Sequence, residues 1–294
     1  MKPLIDMDVL VYEIGSCGQI KNEEGELIIL DFDYVADLLD QRIKEICSEV
    51  WADEEPVLYI TGDETLFKRM NRRNTNVLEF KPNFRVEAAK TKVYKGQRKQ
   101  EKPFHYHNIR AYVIGRYETV VTNGIEADDA ICIEIYKAYK EGRHDVIACT
   151  RDKDLRMVAG QHFGWACGRQ PQFGPVEVTE LGSLEIYGSP KKLRGTGRKF
   201  FYAQLITGDP VDNIPGLPRG GPVLAYGTLN DLQTEDDLLE AVSELYRGRI
   251  GEGWRDYLQE QADLLWMIRE VDANGNPIYW KLPEEKIMKE ETIG

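Results

Sequence analysis

Apolar residues recur along this chain in two rhythms, and their alternation outlines an α/β fold. Residues 3–12 (PLIDMDVLVY) are apolar and β-branched, interrupted by Asp6 and Asp8, and predict a strand. Residues 31–51 repeat at helical spacing through Tyr34, Val35, Leu38, Leu39, Ile43, Ile46 and Val50. A second strand is predicted at 56–61 (PVLYIT), a helix at 126–140 and a third strand at 145–149 (DVIAC). Strands separated by helical stretches imply right-handed βαβ units and a mainly parallel sheet. Residues 200–226 read as helix, loop, helix, the loop rich in Pro and Gly. Thr234 with Asp237 forms a capping-box-like start to a helical region running to about Val271, and Asn274-Gly275 marks a hairpin flanked by a short strand pair that includes Ile278, Tyr279 and Trp280.

This pattern gives acidic residues a place. In open α/β sheets ligands bind beyond the carboxyl ends of the strands, where Asp63, Asp152 and Asp154 fall, with Asp6 near the end of the first strand. Glu126, Asp128 and Asp129 open the 126–140 helix. Taken alone they are adequate as helix-capping residues, worth about 0.3–1 kcal/mol each. Asp209 and Asp212 stand in GDPVDNIPG, which alone would be an Asx-rich turn. Gathering even half of these carboxylates in one cleft would keep several protonated at neutral pH unless cations were supplied. Oxygen-only ligation suits Mg²⁺ or Mn²⁺ and disfavours zinc.

Charge and composition narrow the classes. The 294 residues carry a formal net charge of −12, which argues against coating nucleic acid by bulk electrostatics. Two basic runs interrupt the acidity. Residues 85–102 hold seven basic and two acidic residues, and 191–199 (KKLRGTGRK) hold five basic residues in nine, so both are candidate phosphate-receiving patches. No apolar run approaches the roughly 18 residues that cross a bilayer, and the N-terminus has no signal-peptide pattern; a cytoplasmic protein without membrane partners is expected. The five cysteines form no C-x-x-C pair and read as reduced thiols. His105 and His107 form an H-x-H, but no third ligand of matching softness is near, and contacts to DNA by exposed His and Tyr explain the pattern better.

The segments LIDMD, YITGD, YKGQR, GIEADD, TRDKDL and ITGDPVDNIPGLP, in this order over roughly residues 3–226, resemble the flap endonuclease family, which includes the 5′ nuclease domain of bacterial DNA polymerase I and phage 5′ exonucleases. Each is weak alone; the combination is specific. The resemblance implies a PIN-like α/β fold with a mainly parallel sheet flanked by helices, a helical arch and a degenerate helix-hairpin-helix region. It divides the chain into a catalytic domain over 1–185, with the arch at about 85–118, and a DNA-binding and helical region over 186–294. It implies two metal ions. Asp6, Asp63, Glu126, Asp128 and Asp152 match positions expected mainly at the first, and Asp129, Asp154, Asp209 and Asp212 those expected mainly at the second; Asp8 has no dependable counterpart. Lys95 and Arg98 match the basic arch motif that stabilises transition-state charge. Arg69 matches a substrate-binding arginine, and Tyr94 is placed to stack on a splayed base or to pack in the core.

One segment departs from the family pattern. Where its hairpin reads G-V-x-G-I-G-x-K-T-A, this chain has Gly216-Leu-Pro-Arg-Gly-Gly-Pro-Val-Leu-Ala225, with Arg219 at a glycine position and Val223 at the lysine. The loss argues against a K⁺ site and a tight duplex grip there, while Arg219 could restore one phosphate contact. The implied activity is 5′-3′ exonuclease and 5′ flap endonuclease cleavage of DNA, RNA-primed 5′ ends included. It would serve replication or recombination alongside replication proteins, in the host cytoplasm for a phage-encoded chain. Competing readings are a PIN-type ribonuclease, which the arch motif and third acidic pair disfavour, and a non-catalytic junction-binding protein, which would have lost ligands that this sequence keeps.

Overall fold

A computed structural model describes residues 1–72, 79–97 and 101–284. In chain order the strands are β1 (Lys2–Asp6), β2 (Gln19–Lys21), β3 (Leu27–Ile29), β4 (Val57–Thr61), β5 (Thr119–Thr122), β6 (Val146–Cys149), β7 (Gly160–Gly164), β8 (Phe173–Val178), β9 (Leu184–Tyr187) and β10 (Lys192–Gly195). The helices are α1 (Met7–Cys17), α2 (Phe32–Glu49), α3 (Glu64–Asn71), α4 (Phe84–Ala88), α5 (Tyr106–Arg116), α6 (Ala127–Lys140), α7 (Gly197–Thr207), α8 (Pro222–Leu229), α9 (Glu235–Ile250) and α10 (Trp254–Leu265). The main sheet runs β5-β4-β1-β6-β7-β8, parallel except for the β7–β8 pair. The chain winds outward from β1 to β4 and β5, then crosses back to β6 on the other side. The strand order therefore reverses at β1, and a crevice opens between the carboxyl ends of β1 and β6.

Side-chain alternation along these strands feeds two apolar layers. Ile5, Leu58, Ile60, Ile147 and Cys149 pack under α1, α2 and α5, while Leu4, Val57, Tyr59 and Ala148 face α6 and the C-terminal helices. The second layer takes residues from Leu4 to Trp280, and the expected division between residues 185 and 186 falls inside β9, so the apolar core runs across that boundary.

The strand expected over 3–12 ends at Asp6. Its carboxylate accepts the N–H groups of Asp8 (2.9 Å) and Val9 (3.3 Å), capping α1, and Met7, Leu10, Val11 and Ile14 then lie buried on one helical face. Helical spacing and a cap outweighed the β-branched composition. The 31–51 helix, the 56–61 strand, the 126–140 helix and the 145–149 strand appear within a residue or two of expectation, as α2, β4, α6 and β6. Thr234 caps α9 through the Asp237 N–H at 3.1 Å. At Asn274-Gly275 the turn forms, but its flanks make only the isolated Val271–Pro277 bridge, because Asp272 takes the nearby N–H groups of Asn274 and Asn276 itself. All five cysteines are free thiols.

The arch expected over 85–118 is corrected at both ends. Arg85 is fully buried, and α5 is anchored by Ile109 and Val113 under α1 and α2. His105 is buried with its Nε2 against the Leu30 carbonyl (2.8 Å), and the Tyr106 hydroxyl accepts from Arg110, so neither is the exposed DNA contact the sequence suggested.

Candidate active site

The crevice at the β1–β6 switch point is lined by Lys95, Glu126, Asp128, Asp152, Asp154 and Asp212, with Tyr94 and Arg85 behind them. Asp6 enters from the end of β1, where the Thr150 hydroxyl donates to it at 2.7 Å. Thr150 in turn accepts the Asp152 N–H (3.0 Å), and Asp152 accepts the Asp154 N–H (2.9 Å), so one tight turn after β6 presents two carboxylates. The N-terminus of α6 adds Glu126 and Asp128, its first residue held by the Ala127 N–H bond to Thr61 Oγ1 (2.8 Å).

Asp209 and Asp212 come from the loop after α7, whose shape depends on two glycines. Gly208 (φ 68°) and Gly216 (φ 65°) lie back to back, and a Cβ on Gly216 would stand 2.3 Å from the Gly208 nitrogen. That close approach explains why the segment needs glycine at both ends. Asp209 then caps the turn through the Val211 N–H at 2.8 Å.

Crowding sets the electrostatics. Burial, then the neighbouring Asp6, Asp152 and Glu126 charges, push the Asp128 carboxyl well above its ordinary range. Asp128 Oδ1 is buried without a hydrogen-bond partner. Burial and Asp8 push Asp6 up to about 7, with the Thr150 hydrogen bond opposing; burial and Asp152 push Asp154 up to about 7, with Lys153 opposing. Two ammonium groups relieve the rest. Lys153 bridges Asp154 (2.8 Å) and Asp209 (2.6 Å), and burial at Asp209 is outweighed by Lys153, leaving that carboxyl below its usual range. Lys95 pairs with Glu126 and lies 3.9 Å from Asp212. Among the described residues no three Asp, Glu, His or Cys side chains are drawn to ligating distance of one point. The donor set still fits hard divalent cations: it is all oxygen, Asp128 offers an unpartnered buried oxygen, and mutual repulsion raises its members.

Several expected residues stand elsewhere. Asp129 is fully buried, both oxygens taken by Arg85 (2.7 and 2.8 Å), with further N–H bonds from Glu126 (3.1 Å) and Ile268 (3.0 Å). It is a structural ion-pair partner here, not a candidate ligand, because no lone pair is left facing the cleft. Tyr94 donates its hydroxyl toward Glu126 (3.1 Å) and Asp212 (3.2 Å), and its ring packs on the core, which removes it from base stacking. Asp63 sits at the rim: it caps α3 through the Leu66 N–H (2.8 Å) and pairs with Arg110. Asp212 shares its cation, Lys95, with Glu126, so the division of those two between separate metals does not match the observed pairing. Arg98 lies outside the described residues.

Arg69 lies with Arg72, His107 and Arg110 along a cavity of about 520 Å³ between α3 and α5, floored by Leu66 and Met70. Arg219 is exposed with φ 58°, in the left-handed region that favours glycine, and Gly221 and Pro222 start α8 beside it. Within the 191–199 run Lys199 is buried against the Asn230 carbonyl (2.5 Å) and Arg198 pairs with Glu235, while Lys191, Lys192 and Arg194 are exposed, Arg194 in a surface pair with Glu185.

Sequence reasoning missed four contributors. Asp8, in the first turn of α1, accepts the Thr61 N–H at 3.2 Å and adds its charge beside Asp6; the D-x-D spacing after a strand end was its signal. Lys153 lay inside the D-K-D motif itself. Arg110 and Arg85 had no local signal, since their partners are 47 and 44 residues away.

No protein-family model matches the chain. It is 33% identical over 127 residues to DNA polymerase I of Rhizobium leguminosarum, covering 43% of this chain and 11% of that protein. It is 27% identical over 205 residues to DNA polymerase I of Bacillus caldotenax (66% and 21%), and 30% identical over 131 residues to a 5′-3′ exonuclease of Mycobacterium tuberculosis (41% and 37%). The chain thus spans between 11% and 37% of the length of these relatives. Among solved structures, the bacteriophage T5 flap endonuclease in a pseudo-enzyme–product complex with DNA and metal ions superposes with a TM-score of 0.50 at 15% identity, covering 90% of this chain and 93% of that one. The fold is that of a flap endonuclease, mainly parallel and flanked by helices. By sequence, the relatives are bacterial DNA polymerases I and a 5′-3′ exonuclease.

Proposed function

We propose that this chain is a divalent-metal-dependent 5′ nuclease, cleaving DNA phosphodiesters from 5′ ends and at 5′ flaps. The observation that carries the reading is the crowding of Asp6, Asp8, Glu126, Asp128, Asp152 and Asp154 at the sheet's switch point, in a chain whose sequence relatives include a 5′-3′ exonuclease. Asp6, Glu126, Asp128, Asp152, Asp154, Asp209 and Asp212 would hold the cations, with Mg²⁺ or Mn²⁺ favoured by the all-oxygen donor set. When bound, such ions supply Lewis acidity toward phosphate oxygens and neutralise developing charge. The protein's own part is orientation and counter-charge. Lys95, held against Glu126 and partly exposed, would offer its ammonium to the scissile phosphate once divalent cations relieve the carboxylates. Arg69 and Arg72, along the cavity between α3 and α5, would hold phosphates of the 5′ strand.

Polarity is tested with a linear duplex labelled at either end and supplied with Mg²⁺. Short labelled products are expected at once from the 5′ label and only late from the 3′ label; the reverse order would refute the proposal. Binding to a flap duplex without cleavage in either metal would instead favour a junction-binding protein.

Two further outcomes follow from the site. Arg219 adopts the glycine conformation at a cost of about 1–2 kcal/mol. Arg219→Gly is therefore expected to weaken duplex binding and reduce its salt slope by about one, without lowering the thermal midpoint. An unchanged salt slope would remove Arg219 from the interface.

The second concerns the pH dependence of the metal-free protein and its response to added Mg²⁺. Asp6 and Asp154 have folded pKa values near 7 against an ordinary 3.8, so the folded state binds protons more tightly than the unfolded state. Their contribution to stability is complete below about pH 4 and is lost as pH rises through 7. Mg²⁺ is accordingly expected to raise the midpoint more at pH 7.5 than at pH 5, since protons and metal compete for the same oxygens. An equal rise at both values would contradict this assignment.

A further inference from the structure

The cleft's two loop suppliers, the one carrying Lys95 and the one carrying Asp212, are both tied to one helix that no motif had marked. On α10, Glu260 is buried and accepts three hydrogen bonds from the first loop: the N–H of Lys90 (2.7 Å), the N–H of Thr91 (2.5 Å) and the Thr91 hydroxyl (2.6 Å). The next residue, Gln261, is also buried and accepts the Gly216 N–H (3.0 Å) at the end of the second loop, while Tyr257 donates to the Gly216 carbonyl (2.9 Å). The two loops then meet each other directly. Lys95 N–H donates to the Asp212 carbonyl (3.0 Å), and the Asn213 amide donates to the Val93 carbonyl (2.9 Å). Adjacent residues of a helix point about 100° apart, so Glu260 and Gln261 can serve different segments while sharing one rigid backbone.

We propose that Glu260 is a positioning residue for Lys95, closing a ring of contacts from α10 through residues 90–95 and 212–216 back to α10. The inference rests on the nuclease reading for its functional consequence, though the ring itself stands on the geometry. Two backbone N–H groups and a hydroxyl converge on one buried carboxyl, so Thr91 is fixed four residues before Lys95, and Lys95 is fixed again at its own N–H. Lys95 itself has φ 54°, an unfavourable conformation for a lysine, which the surrounding contacts must hold in place. Loss of Glu260 leaves those donors unpaired and releases one of the two anchors of the lysine-bearing loop.

The test is a double-mutant cycle on a 5′-flap duplex at saturating Mg²⁺. Glu260→Ala is expected to lower kcat about 10- to 100-fold, with KM and the Mg²⁺ concentration for half-activation unchanged, whereas Glu260→Gln, whose Oε1 still accepts both N–H groups, is expected to retain most of the activity. Adding Lys95→Ala to Glu260→Ala is expected to give no further loss beyond Lys95→Ala alone, because both changes remove the same contribution. Losses that multiply, a rise in KM in place of a fall in kcat, or full activity in Glu260→Ala would overturn the proposal. If the wild type itself cleaves nothing, the nuclease reading fails separately, and hydrogen exchange decides the ring. Faster exchange at the amides of residues 90–95 in Glu260→Ala supports it, and unchanged exchange overturns it.

Discussion

Asp128→Asn is expected to reduce turnover on a 5′-flap duplex on the order of 10³-fold while raising the thermal midpoint of the metal-free protein. The two effects have one cause. Asp128 is partly buried, faces Asp6, Asp152 and Glu126, and keeps a buried oxygen without a hydrogen-bond partner. An amide of the same shape removes a repelled charge from the folded state and with it a donor that the cations would need. A site arranged for function at the expense of stability shows this opposition. Turnover and midpoint measured on the same preparation check it. Retained activity would show that Asp128 holds no metal, and a fall in midpoint would show that its charge is compensated in some other way.

Arg85→Met is expected to destabilise the fold by about 3–5 kcal/mol, more than any other single change considered. The guanidinium is fully buried. It binds both oxygens of Asp129 and the carbonyls of Leu264 (3.1 Å) and Trp266 (2.6 Å), so its removal strands a buried carboxylate and two carbonyls together. Replacing both charges, as in Arg85→Met with Asp129→Leu, is expected to recover part of the loss, because the uncompensated carboxylate is then gone. Denaturant unfolding of the two variants measures the difference. Equal stability of the single and double variants would show that the cost lies in the lost carbonyl contacts and not in the stranded charge.

The fate of Asp129 shows where sequence reasoning reached its limit. The E-A-D-D motif is legible because its members are neighbours on the first turn of α6, and their acidity gave the correct edge of the sheet. Which of them faces the cleft depends on Arg85, 44 residues earlier, and on the 264–268 backbone, more than 130 residues later. Such partners leave no local periodicity. The same holds for Tyr94, whose hydroxyl is committed to Glu126 and to Asp212, 32 and 118 residues away.

What was legible was what short-range physics determines. The stripe on α2 and the buried runs of β4 and β6 each follow from spacing. β7 and β8 were missed because their side chains are of mixed character, and the 3–12 segment was misread because its apolar positions satisfy both a strand and a helix until Asp6 caps the latter. The basic run at 191–199 looked like a phosphate patch, yet two of its charges, Arg198 and Lys199, are spent within the fold, an outcome that composition cannot show.

The central claim is that the carboxylate crevice is a divalent-metal hydrolytic centre acting on 5′ ends. It is tested most directly by following a 5′-labelled flap duplex with the full chain in chelator, then after adding Mg²⁺ to the same reaction. The expected result is no cleavage in chelator and prompt release of the labelled 5′ segment on adding Mg²⁺. Cleavage that proceeds unchanged in chelator would contradict the account.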